Sequence, residues 1–177
     1  PSELIHIGGD ECPKVRWEKC PRCQARIRQL GLRDKDGYTA EHYLQGYVTD
    51  RIGKYLAERG RRIIGWDEIL EGQAPSDAIV MSWRGSAGGI KAAKLGHDVI
   101  MTPNSHFYFD YYQSPDADAE PFGIGGCVTI DKVYSFDPMA DLTPGQQAHI
   151  LGVQANLWTE YIASDDHLEY MLLPRLA

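Results

Sequence analysis

No apolar run in this sequence approaches the roughly 20 residues that a membrane-crossing helix needs, and the mean hydropathy of −0.38 agrees. Positive charge is scarce as well. Lys and Arg number 18 against 25 Asp and Glu, a formal net charge of −7. That balance leaves no electrostatic footprint for nucleic acid or an anionic membrane surface, both of which draw basic patches. Phosphate chemistry would want a glycine-rich loop with Lys or Arg, and none is present. Low-complexity segments and internal repeats are missing too. With 43% hydrophobic and 24% charged residues, the composition is that of a globular chain, not a disordered or fibrous one.

What is present alternates. Leu4-Ile5-His6-Ile7, Arg62-Ile63-Ile64-Gly65, Ala78-Ile79-Val80-Met81, Val99-Ile100-Met101 and His149-Ile150-Leu151-Gly152-Val153 are short apolar runs bounded by turn residues. Apolar on both faces, they read as buried parallel strands. Between them lie helical patterns. Residues 40–59 carry an apolar stripe through Tyr43, Leu44, Tyr47, Val48, Ile52, Tyr55 and Leu56 and stop at Gly60. Residues 86–95 form a shorter helix ending at Gly96, and a third begins near Leu168. Strand alternating with helix predicts an α/β fold with a parallel sheet. Residues 103–147, rich in Pro, Gly and Asp, read as a long functional loop region.

The residues that follow each run share a character. They are Asp10-Glu11, then Trp66-Asp67-Glu68, then Trp83-Arg84, then Tyr108 with Asp110, Tyr111 and Tyr112, then Trp158-Thr159-Glu160. Parallel α/β folds build their active sites at these C-terminal strand ends. Carboxylates supply a general acid or base, aromatic faces stack on the apolar faces of sugar rings, and acids and amides bind hydroxyls. Glycoside hydrolysis needs that mixture, because its transition state resembles a positively charged oxocarbenium ion. Plainer readings stand beside this one. Gly8-Gly9 is also a tight turn with Asp10 as a helix cap, each Trp alone is a packing residue, Asp67 and Glu68 cap a helix or support the site, and residues 108–112 fill a rim. Three Trp at three strand ends, with only Trp17 elsewhere, favour the site.

His6-Ile7-Gly8-Gly9-Asp10-Glu11 resembles the H-x-G-G-D-E signature of the β-N-acetylhexosaminidases, the family 20 glycoside hydrolases. The resemblance continues in order through Gly65-Trp66-Asp67-Glu68, Ser82-Trp83-Arg84-Gly85, residues 108–112 and Asn156-Leu157-Trp158-Thr159-Glu160, and so covers essentially the whole chain. It implies a (β/α)8 barrel, no cofactor or metal, and a substrate-assisted retaining mechanism. The sugar's 2-acetamido oxygen would be the nucleophile. Glu11 would be general acid and then base, Asp10 would orient the acetamido N–H, and Tyr108 would donate to the acetamido oxygen. Trp66, Trp83 and Trp158 would wall the pocket, and Asp110 and Glu160 would bind sugar hydroxyls. His6 is either a supporting residue behind the pair or a satisfied core histidine. Neighbours on a strand face opposite sides, so Asp10 and Glu11 reach one ligand only if the chain bends, which the preceding glycines permit. The expected partner is a glycan ending in N-acetylglucosamine or N-acetylgalactosamine, and the family suggests a periplasmic or secreted setting.

A whole barrel takes about 250 residues, more than the 177 here. The signature belongs to the fourth strand of the family's barrel, so residues 1–177 are expected to supply strands four to eight, with strands one to three and an accessory N-terminal domain lying upstream. Both ends then read as cut, at Pro1 and within a helix running to Ala177 without a stop signal. An open partial barrel exposes strand edges and apolar surface, so the isolated segment is expected to be inactive or weakly active and to self-associate. Cys20-Pro21-Arg22-Cys23, with Cys12 upstream and Cys127 remote, reads as a loop feature, free or disulfide-linked, in preference to a zinc site, which needs four ligands. A non-catalytic binding protein that keeps the pocket is the competing function. The Asp10-Glu11 pair argues for the enzyme, since a binder has no use for an acid at the scissile bond.

Overall fold

The computed structural model describes Ser2 to Ala177, and Pro1, where the chain's start reads as cut, lies outside the described residues. Five strands, β1 (Leu4–His6), β2 (Arg62–Trp66), β3 (Ile79–Ser82), β4 (Val99–Met101) and β5 (Ile150–Val153), form one sheet in sequential order. Every neighbouring pair is parallel. The helices are α1 (Val15–Lys19), α2 (Pro21–Leu30), α3 (Ala40–Ala57), α4 (Ala87–Lys94), α5 (Asn104–Phe107), α6 (Ile130–Tyr134), α7 (Pro144–Gln147) and α8 (Asp165–Leu172). Sequential parallel order with helical crossovers is the arrangement of a barrel wall.

The sheet is not equally buried throughout. All four residues of β3 are buried, whereas β1 and β5 at the edges leave Ile5, Leu151 and Val153 exposed. The core lies behind the centre, where Ile63, Ile69, Val80, Ala92, Val99 and Met101 pack together. Register brings the strand ends level: Trp66 pairs with Met81, and Ser82 with Met101. Residues that follow the strands are thereby delivered to one rim.

Three segments differ from their sequence reading. The cysteine pair is helical rather than looped, with Cys20 capping α2 and Cys23 inside it, because Pro21 occupies the first helical position with its φ already suited to a helix. All four cysteines are free. Residues 103–147 are not a bare loop but contain α5, α6 and α7, each too short for a helical stripe to show in the sequence. The last helix starts earlier than Leu168, where Ser164 Oγ accepts the His167 N–H at 3.2 Å. It stops at Leu172, since the residue before Pro174 is driven out of the helical region. Among the described residues no helix is long and apolar enough to cross a membrane.

Candidate active site

The rim is assembled around a bend. Ile7 and Gly8 still pair with β2, through Ile7 N–H to Ile64 O at 2.9 Å and Trp66 N–H to Gly8 O at 3.0 Å. Gly8 and Gly9 then take φ of 72° and 103°, and Glu11 itself 42°. Only glycine suits the middle of this turn, because a Cβ on Gly9 would lie 2.7 Å from Ile69 Cγ2. From α3, Gln45 Nε2 donates to the Gly9 carbonyl at 2.8 Å and fixes the turn from behind. Asp10 and Glu11 therefore leave strand alternation and line the same cavity.

That cavity, about 360 Å³, is lined by Asp10, Glu11, Trp66, Trp83, Tyr108, Asp110, Tyr111, Ile124, Trp158 and Glu160. Its size and its apolar walls with a few convergent polar groups suit a small-molecule site. The aromatic rings touch one another: Trp83 stacks on Tyr108 at 6.2 Å, Tyr108 meets Trp158 edge-on at 6.2 Å, and Trp66 lies 6.1 Å from Trp158. The loops bearing Tyr108 and Trp158 are zipped by backbone bonds, Phe109 N–H to Asn156 O at 2.7 Å and Asn156 N–H to Phe107 O at 2.8 Å. Buried Asn156 also donates to Thr102 Oγ1 at 2.7 Å.

Burial sets the electrostatics. It pushes the Tyr108 hydroxyl up to about 12, keeping it a proton donor over the whole neutral range. It also raises the Asp110 carboxyl, and Glu160 adds to the rise. Asp110 Oδ1 is buried and, among the described residues, has no hydrogen-bond partner. Such an acceptor on a cavity wall is one a ligand hydroxyl can satisfy.

The model of the glycosyl hydrolase family 20 catalytic domain matches residues 1–177. The chain belongs to that family. A β-hexosaminidase of Porphyromonas gingivalis is 48% identical over 99% of the chain, which spans 22% of that relative's length. A family 20 exo-β-N-acetylglucosaminidase of Vibrio harveyi, solved with N-acetylglucosamine, superposes with a TM-score of 0.83 at 30% identity, covering 99% of this chain and 27% of that one. A β-N-acetylhexosaminidase of Bacteroides fragilis gives 0.78 at 26% identity over 99% of this chain and 35% of its own. The five parallel strands are accordingly a portion of a (β/α)8 barrel.

In this family 20 chain, the eight residues read as catalytic or sugar-contacting, Asp10, Glu11, Trp66, Trp83, Tyr108, Asp110, Trp158 and Glu160, all reach one cavity. His6 does not line it. It is exposed in this segment, on β1, which has a neighbouring strand on one side only. Its ring meets Trp66 edge-on at 4.9 Å, and its Nδ1 accepts the Gly8 N–H at 3.1 Å. The protein around the ring pushes its pKa below the ordinary imidazole value, while Asp10 pulls the other way. Asp67 and Glu68 are supporting residues. Glu68 accepts the Trp83 indole N–H at 3.0 and 3.2 Å, and Asp67 accepts the Trp83 backbone N–H at 3.0 Å and Arg84 Nε at 2.6 Å.

Sequence reasoning missed Ile124 as a lining residue and gave Tyr111 no role, although Tyr111 lies within a quoted motif. It also missed Gln45, Asn156 and Arg175 as anchors. For Arg175 the signal is a charge inside the run Leu172-Leu173-Pro174-Arg175-Leu176. Among the described residues no three metal-ligating side chains cluster.

Proposed function

We propose that the full-length protein is an exo-acting, retaining β-N-acetylhexosaminidase, and that residues 1–177 supply strands four to eight of its barrel with most of the sugar-binding site. The observation that carries this reading is the convergence of an acidic pair, a tyrosine hydroxyl and three tryptophans on one cavity of single-sugar size. The substrate's acetamido oxygen attacks C1 and the glycosidic bond breaks as Glu11 gives its proton to the departing oxygen, leaving an oxazolinium ion. Asp10 accepts the acetamido N–H and stabilises the positive charge that grows there. Tyr108 donates to the acetamido oxygen. Water then attacks C1 as the bond from C1 to the acetamido oxygen breaks and the 2-acetamido group re-forms, while Glu11 takes the water's proton, which restores the acid and retains the configuration.

Burial of Tyr108 supports a donor role at any working pH. The wall of Trp66, Trp83 and Trp158 supports an acetamido methyl and a sugar ring, both of which need apolar surface. Unpartnered Asp110 Oδ1 and exposed Glu160 are free to take hydroxyls. The test compares 4-nitrophenyl N-acetyl-β-glucosaminide with 4-nitrophenyl β-glucoside, which lacks the acetamido nucleophile. An oxazolinium route predicts that the full-length protein prefers the first by at least about a thousandfold in kcat/KM, as intramolecular nucleophiles provide. Comparable turnover of the two would remove the mechanism, and sugar binding without turnover of either would leave a binding protein.

A further inference from the structure

Arg175 is 2% exposed, and among the described residues it is the one buried Lys or Arg. Burying a guanidinium is costly unless its donors are met. Here no carboxylate within salt-bridge reach meets them. Backbone carbonyls meet four of its five N–H donors: Nη2 donates to Phe109 O at 2.7 Å and to Met171 O, and Nη1 to Val128 O at 2.9 Å and Tyr111 O at 3.0 Å, while Nε has no partner among the described residues. The guanidinium also lies 4.7 Å over the Phe109 ring. Phe109 and Tyr111 are the neighbours of Asp110 on either side. The planar fork holds these two carbonyls together with Val128 O and Met171 O, four acceptors that a lysine's three donors cannot all meet.

We infer that Arg175 is a positioning residue for sugar recognition: by gripping the carbonyls that bracket Asp110, it sets where that carboxylate meets the substrate's hydroxyls. This rests on the sugar-binding role proposed above for Asp110. Two further facts fit it. Asp110 Oδ1 is held buried without a protein partner, which a loop free to move would relieve by turning to solvent. Arg175 also ties the end of α8, through Met171, to the loop after β4, so the two ends of a segment of more than 60 residues share one anchor.

The test uses the full-length protein with 4-nitrophenyl N-acetyl-β-glucosaminide and its 4-deoxy and 6-deoxy analogues. Arg175→Lys keeps the charge and loses the fork, and Arg175→Gln loses both. Each is expected to raise KM about tenfold or more, with a smaller change in kcat, and to shrink the discrimination against at least one deoxy analogue, since displacements of about an ångström cost that much. KM and the discrimination ratio do not depend on the folded fraction, so a merely structural role would lower yield or Tm and leave both in place. Arg175→Lys carries the test where Arg175→Gln does not fold. Arg175 variants with wild-type KM and discrimination overturn the inference, whatever their Tm. Asp110→Asn separates the two readings: if it moves KM and the Arg175 variants do not, only the positioning role falls. If Asp110→Asn also changes nothing, the sugar role of Asp110 falls with it.

Discussion

The two sides of the cavity are built differently. On the far side, the loops after β2 and β4 set Trp66, Tyr108 and Asp110 into the protein at 8%, 8% and 6% exposure. They are backed by the buried centre of the sheet and stitched by Asn156. On the near side, Asp10 and Glu11 sit on a turn after β1, whose free edge is where the upstream strands proposed above would pair. That turn is held by backbone geometry, with two positive-φ glycines, one bond from Gln45 and one to the His6 ring. Burial gives Trp66 and Tyr108 fixed apolar surroundings and keeps the unpartnered Asp110 acceptor from water, whereas Trp158 and Glu160 on the same cavity are exposed. Under the roles proposed above, the buried wall recognises the sugar, and Glu11 on the turn exchanges protons with the leaving group and then with water.

The two sides are expected to fail in different ways. The largest effect is expected at Glu11. Glu11→Gln in the full-length protein should lower kcat on a substrate with a poor leaving group by about 10² to 10⁴, with sugar affinity retained in a direct binding measurement. Full activity in this variant would show that the acid lies elsewhere.

A recognition-side change should instead act on binding. Glu68→Leu leaves the Trp83 indole N–H without its acceptor at a cost of about 1–3 kcal/mol. Trp83 should then loosen, with KM rising about tenfold and kcat falling less. A drop in kcat at constant KM would contradict the division of labour. Burial also raises the Glu68 carboxyl, so its ionised form costs stability as pH rises through its folded value. Glu68→Leu should therefore lose less stability at pH 8 than at pH 5.

The smallest effect lies away from both walls. Asp98 pairs with Arg62 at 3.0 Å and His149 at 3.4 Å, and Arg62 foremost holds its carboxyl below the ordinary 3.8. A depressed carboxyl adds stability above the unfolded value and loses it as pH falls through the folded one. Asp98→Asn should cost at most about 1 kcal/mol at pH 7, as partly exposed pairs do, with KM unchanged. Thermal melts at a pH well below the folded value, itself below the ordinary 3.8, should bring variant and parent together. A difference that persists in acid would assign the effect to packing rather than charge.

Much of this was legible because it is local. Strands such as Ile79–Ser82 announce themselves by β-branched, two-sided apolar runs, and the residue after each run could be read without knowing the fold. What stayed hidden depends on contacts between distant segments. Short α5, α6 and α7 show no stripe. Nothing near Gln45 says that its amide will meet Gly9, 36 positions away, and nothing near Arg175 says that its partners begin at Phe109.

By itself, then, the sequence determined the number and order of strands and the side chains offered at their ends, because hydrophobic period and turn chemistry act within a few residues. Only the tertiary structure decided which of those side chains share a cavity, which are buried and which remain in water. Those outcomes depend on register and on contacts such as Gln45 with the Gly9 carbonyl, which fixes a bend that the glycines only permit, and no local stretch of residues specifies those contacts.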